Sequence, residues 1–214
     1  SSPASGNKAV GALSGTFLVN ETGAATYTVP IEVPPGVAGM QPDLSLNYNS
    51  QSGNGILGIG WSLSGLSAIT RCPKTWAQDA IYGSVNYDTN DRFCLDGQRL
   101  VNVSGNYGVD GTVYRTEVDS FSLITQNGTS CGGPCGFTVQ TKSGQTLIYG
   151  NSDNSRRNVS TTPAALHWAV NSITDVTGNS IQFTYYKNTA GDQRIQSITY
   201  ANTHRMRRVE FVYE

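Results

Sequence analysis

Residues 27–72, YTVPIEVPPGVAGMQPDLSLNYNSQSGNGILGIGWSLSGLSAITRC, decide the fold class of this 214-residue chain. Apolar and polar residues alternate through Ala25–Val33 and again through Leu44–Tyr48. That two-residue period sets one face of a strand against a core. Pro34, Pro35 and Gly36 stop the first strand, and Pro30 within it implies an edge position or a bulge, because proline has no amide to give to a ladder. Gly53, Gly55, Gly58 and Gly60 then lead into Trp61, a series that reads as tight turns packed close beneath a large indole.

Outward from this stretch the same signal recurs. Strands are expected at 15–19, 113–116, 120–125, 137–141, 146–149, 168–174, 180–186, 195–200 and 208–213, separated by turn residues such as Lys142-Ser143-Gly144 and the run 175–179. Good helix formers are scarce and only 14% of residues are charged. The reading is an all-β chain of antiparallel meander sheets, as a sandwich or a curved shell segment, with long Gly/Pro-rich loops and little helix. Residues 1–14 read as a polar arm and 15–214 as one β domain, with a possible subdivision near 75–110. There the text is loop-rich, with Tyr82, Tyr87, Phe93, Leu95 and Leu100 as anchors. The last apolar alternation, Val209, Phe211 and Tyr213, runs to the chain end, which reads as a piece of a longer protein.

A net charge of −1 offers no field for nucleic acid or anionic lipid. No run approaches the roughly 18 apolar residues of a spanning helix, so no membrane insertion by this segment is expected. Four cysteines, Cys72, Cys94, Cys131 and Cys135, suit an oxidising compartment, and three pairings are open to them. Cys131 and Cys135 enclose the flexible Gly132-Gly133-Pro134, which favours a bond between them and leaves Cys72 for Cys94; four free thiols are the alternative. Neither CxxC spacing nor a histidine pair supports zinc.

Residues 53–58, GNGILG, match a dinucleotide fingerprint literally but lack the helix that must follow. Residues 60–64, GWSLS, miss the nucleophile elbow at their fifth position. His167 and His204 are the only histidines, and His167 beside Trp168 reads as a packed imidazole. Asp88, Asn90 and Asp91, and likewise Asn151, Asp153 and Ser155, are Asx-turn material outside the EF-hand pattern. The expectation is therefore no catalytic residue, no cofactor and no metal.

Residues 30–36, 39–50 and 55–61, continuing through Ile69-Thr70-Arg71-Cys72, resemble the amino-terminal domain of SpvB-type proteins, a family shared with the B component of Tc insecticidal toxins and with Rhs/YD-repeat proteins. Residues 91–97, Tyr149-Gly150, Trp168 and 173–179 are similar to its later landmarks, so the resemblance runs from about residue 11 to the end. Residues 178–186 are also similar to a YD-repeat strand, with Lys187 where the repeat has aspartate. The resemblance implies a noncatalytic structural domain of a secreted or surface-bound bacterial toxin or virulence protein. In that reading the domain contributes to a β-sheet shell for a C-terminal effector, and its partners are the rest of its own polypeptide and other toxin-complex subunits. Tyr48, Gly53, Gly55, Gly58, Gly60, Trp61 and Trp168 are its expected structural signature. The rival reading is an adhesin or glycan-binding module that uses exposed Tyr and Trp.

Overall fold

The computed structural model describes residues 15–118, 122–159, 161–201 and 205–213. The arm read at 1–14, His204 and the start of the strand read at 120–125 lie outside the described residues. The described residues are all-β: their strands pair antiparallel, and their one α-helix is a single turn. They fall into two compact units, one up to Glu32 and from Asp43 to Gly65, the other covering Val33–Pro42 and Leu66 onward.

The first unit holds β1 (Thr16–Val19), β2 (Ala25–Ile31), β3 (Leu44–Asn49), the two-residue strands β4 (Asn54–Gly55) and β5 (Gly58–Ile59), and β6 (Trp61–Ser64). Its main sheet runs β1-β2-β3-β6. The register sets Phe17 opposite Tyr27, Tyr27 opposite Tyr48 and Tyr48 opposite Trp61, a row of aromatics across all four strands. Strand alternation then gives that face Val29, Leu46 and Leu63 as well, and the opposite face Thr28, Asn47 and Ser62. None of the four strands carries a charged residue. Pro30 lies past the end of β1, whose pairing stops at Thr28, so its missing amide costs the ladder nothing.

The second unit continues as a meander: β7 (Ala68–Cys72), β8 (Arg92–Leu95), β9 (Gln98–Ser104), β10 (Val113–Thr116), β11 (Leu123–Asn127), β12 (Gly136–Gln140) and β13 (Thr146–Tyr149). After β14 (Arg156–Asn158), the ten-residue β15 (Ala165–Thr174) pairs with β13 through Thr146 and Thr174 and with β7 through Ile69 and Trp168. Those two ladders close eight strands into a barrel. The second half of β15 also pairs with β16 (Ser180–Lys187), and β17 (Gln193–Ala201) and β18 (Met206–Glu210) extend the sheet away from the seam.

The barrel interior is filled by interlocking aromatics. Phe93, Phe137 and Trp168 lie 5.2–5.6 Å apart, ring centre to ring centre, in edge-on contact. Tyr114 meets Phe93 from a further strand. Ile69, Leu100, Ile124 and Val139 complete the core.

One expectation is extended here and one corrected. The stretch from Trp76 to Gly111 is loop-rich as expected, but it also contains the β8–β9 hairpin, turned at Asp96 and Gly97 with φ of 48° and 83°, and the turn α1 (Trp76–Asp79). Tyr82 does not anchor a core, being 81% exposed, whereas Phe93 and Leu100 are buried.

Candidate functional site

Three places gather polar and titratable side chains, all in the second unit. The first is at the barrel core. Arg71, carried inward by β7, donates from Nε to the Ala165 carbonyl (2.7 Å) and from Nη1 to Asp91 (3.0 Å). Both side chains are almost wholly buried, and Asp91 also accepts the Asn86 and Tyr87 amides. The guanidinium stands 5.5–5.8 Å from the ring centres of Trp168, Phe93 and Tyr87. A buried charge needs this much compensation, and here every oxygen of Asp91 is spoken for. The pair organises the core and leaves no carboxylate for a substrate or metal.

The second place is a cleft of about 600 Å³ beside α1. Asp79 accepts two hydrogen bonds from Arg99 Nη1 (2.8 and 3.0 Å) and faces Arg92 Nε at 3.4 Å. Burial pushes the Asp79 carboxyl up, but the Arg99 hydrogen bonds, the Thr75 amide and the two cations outweigh it and hold the group below the usual carboxylate range. Gln78 joins this wall to Glu117 (2.7 Å). Trp76 forms the rim, 63% exposed, with Tyr82 stacked on it at 6.4 Å.

The third is a cleft of about 610 Å³ between the Cys131 loop and the β16–β17 turn. Lys187 pairs with Asp153 at 2.8 Å, and Arg156 approaches the same carboxylate at 3.8 Å while donating to the Gly150 carbonyl.

These groups do not assemble an acid–base or nucleophilic site. Burial, aided by the Arg157 charge, lowers His167 to about 4, and burial raises the Tyr107 and Tyr149 hydroxyls, so all three are neutral at pH 7. Ser67 shares hydrogen bonds with Asp96 and Tyr149 but has no imidazole within its network among the described residues.

The residues singled out by sequence fall into separate places. Cys72 is bonded to Cys94 across the β7–β8 pair, and Cys131 to Cys135. Trp168 is fully buried, and its indole Nε1 donates to the Pro134 carbonyl inside the Cys131–Cys135 loop (3.0 Å). Tyr48 and Trp61 are paired across strands with ring centres 5.4 Å apart. A Cβ on Gly60 would come within 2.6 Å of the Tyr48 ring, the partner of Trp61 across the strands. A Cβ on Gly55 would meet the Trp61 carbonyl at 3.0 Å, while Gly53 and Gly58 face open space. The α1 cleft was missed by sequence reading. Its one linear cue is Trp76, whose exposure no periodic pattern announces.

Residues 19–212 match the family described as SpvB, Salmonella virulence plasmid 65kDa B protein. Among curated proteins no sequence matches significantly. Of solved structures, TcdB2-TccC3 superposes with a TM-score of 0.69 at 20% identity over 88% of this chain. The Tc holotoxin pore of Photorhabdus luminescens gives 0.66 at 22% identity, also over 88%. The N-terminal domain of the effector protein SpvB from Salmonella typhimurium strain LT2 gives 0.62 at 19% identity over 86% of this chain and 66% of that one. At these identities the likeness is one of fold. The chain spans about 10% of the length of the two Tc chains.

Proposed function

The chain belongs to the SpvB family, and from that membership we propose that it is a noncatalytic structural domain of a secreted bacterial virulence or toxin protein. It contributes a section of β-sheet shell or scaffold around an effector carried elsewhere in the polypeptide, and it packs against the rest of that polypeptide and against other subunits of a toxin complex. The observation that carries this reading is the β1-β2-β3-β6 sheet. On its aromatic and aliphatic face Val29 is buried, but Phe17, Tyr27, Leu46, Tyr48, Trp61 and Leu63 are not. A continuous apolar face without charge is what a sheet presents when further protein covers it. The filled barrel supports the same reading, since a core of interlocked rings leaves no lumen for a substrate. Two disulfides suit export to an oxidising compartment.

The test is limited proteolysis of the full-length gene product beside its Leu46→Arg and Trp61→Arg variants. The reading expects the variants to fold in isolation but to lose protection of the effector region. Equal protection in all three proteins, or turnover of a substrate by this domain alone, overturns it.

A further inference from the structure

We propose that the cleft beside α1 is a saccharide-binding site, selective for sugars that carry a carboxylate or sulfate. Two observations meet there. Trp76 is exposed at the rim and is held by Tyr82 with their planes only 27° apart, so a broad, fixed aromatic face stands at the mouth of the cleft. Burying no core contact, this pair has no role in holding the barrel together, and an indole left in water is costly unless something covers it. The apolar C–H face of a pyranose is such a cover.

The second observation is charge. Lys74, Arg92 and Arg99 line the cleft against two carboxylates, Asp79 and Glu117, in a chain whose overall charge is −1. Asp79 is shared between Arg99 and Arg92, so the cleft keeps one positive charge that no internal carboxylate cancels. Arg92 is positioned to present it. Its guanidinium lies 4.4 Å from the Tyr107 ring centre and is tied to Asp79 and to the Asn90 carbonyl, yet 27% of the side chain remains exposed. With Nε facing Asp79 and Nη1 given to the Asn90 and Asp91 carbonyls, Nη2 is the nitrogen left to donate to a carboxylate or sulfate oxygen.

The volume, about 600 Å³, lies within the range of small-ligand sites. Neutral sugars would keep the stacking contact and lose the Arg92 contact, which sets the expected selectivity.

The experiment uses the full 214-residue chain on a printed array that sets uronic-acid, sialic-acid and sulfated glycans beside their neutral counterparts, followed by titration of the best binder. Acidic glycans should bind. Trp76→Ala should weaken them at least about tenfold, and Arg92→Gln should erase the preference for acidic over neutral partners. Raising the salt should weaken binding of the wild type but not of Arg92→Gln. Because Trp76 is exposed, the Trp76→Ala protein should keep its denaturation midpoint, which separates a lost site from a lost fold. No acidic glycan above background, or affinity unchanged by Trp76→Ala, overturns the proposal.

Discussion

The two units use the same strand chemistry to opposite ends. The barrel buries its large side chains completely: Trp168, Tyr114, Tyr149, Phe93 and Phe137 are all sealed within it, and both disulfides and the Arg71–Asp91 pair lie there. The first sheet has an apolar face just as regular, but among the described hydrophobic residues of that unit only Ala24, Val29 and Leu44 are buried. Phe17, Leu18 and Val19 on its edge strand are each 62% exposed. Regular alternation thus states that a face is to be covered, not that this segment covers it. The barrel is stabilised by its own contents, and the sheet leaves most of its apolar face partly exposed.

Single-site changes should expose this contrast most strongly at the tryptophans. Trp168→Ala, which removes the centre of the aromatic cluster, should cost about 4 kcal/mol in urea denaturation, while Trp61→Ala in the first sheet should cost about 1 kcal/mol. Equal losses would break the comparison. Asp91→Ala should cost about 3 kcal/mol, because it leaves the Arg71 charge buried and strips an acceptor from two amides. Replacing Cys72 and Cys94 together by serine should cost ~3 kcal/mol, and replacing Cys131 and Cys135 ~2 kcal/mol, following the lengths of the loops they close.

Acid should act on the barrel selectively. His167 titrates near 4 when folded and near 6.5 when unfolded, so the unfolded chain binds the extra proton between those values. Its neutral form therefore contributes stability above pH 6.5 that is lost as the pH falls toward 4. Between pH 7 and pH 5 this should amount to about 2 kcal/mol, and His167→Gln should flatten that part of the profile. The first sheet contains no histidine and should not share the slope. The smallest effect is local: amides of β1 should exchange with deuterium well before those of β12, a difference that amide-resolved exchange would read directly.

Much of the strand map was legible because turns and alternation coincide there. Val113–Thr116 and Thr146–Tyr149 stand as strands where the pattern sets them. The β8–β9 hairpin was hidden because both of its faces are covered. Phe93 and Leu100 enter the core, while Cys94 is bonded to Cys72 and Arg99 is locked to Asp79, so buried residues run side by side and erase the period. The Asp96-Gly97 dipeptide was the remaining cue. Barrel closure could not be read at all, since it depends on β15 pairing with two strands distant in sequence. The SpvB-type motifs carried the family assignment, but no motif marks the α1 cleft, whose walls come from α1, β8, β9 and Glu117.

The seam that closes the barrel also fixes an order of events at the ribosome. Ala68 in β7 pairs with Ala169 in β15, 101 residues later. At ordinary elongation rates β7 waits roughly 5–20 s with one edge unpaired before its partner is made. The hairpins between them can form during that interval, because each closes a short loop. Barrel closure must wait for β15, so the nascent chain passes through an open, curved meander, and any chaperone that meets the chain before then has that half-finished sheet as its substrate.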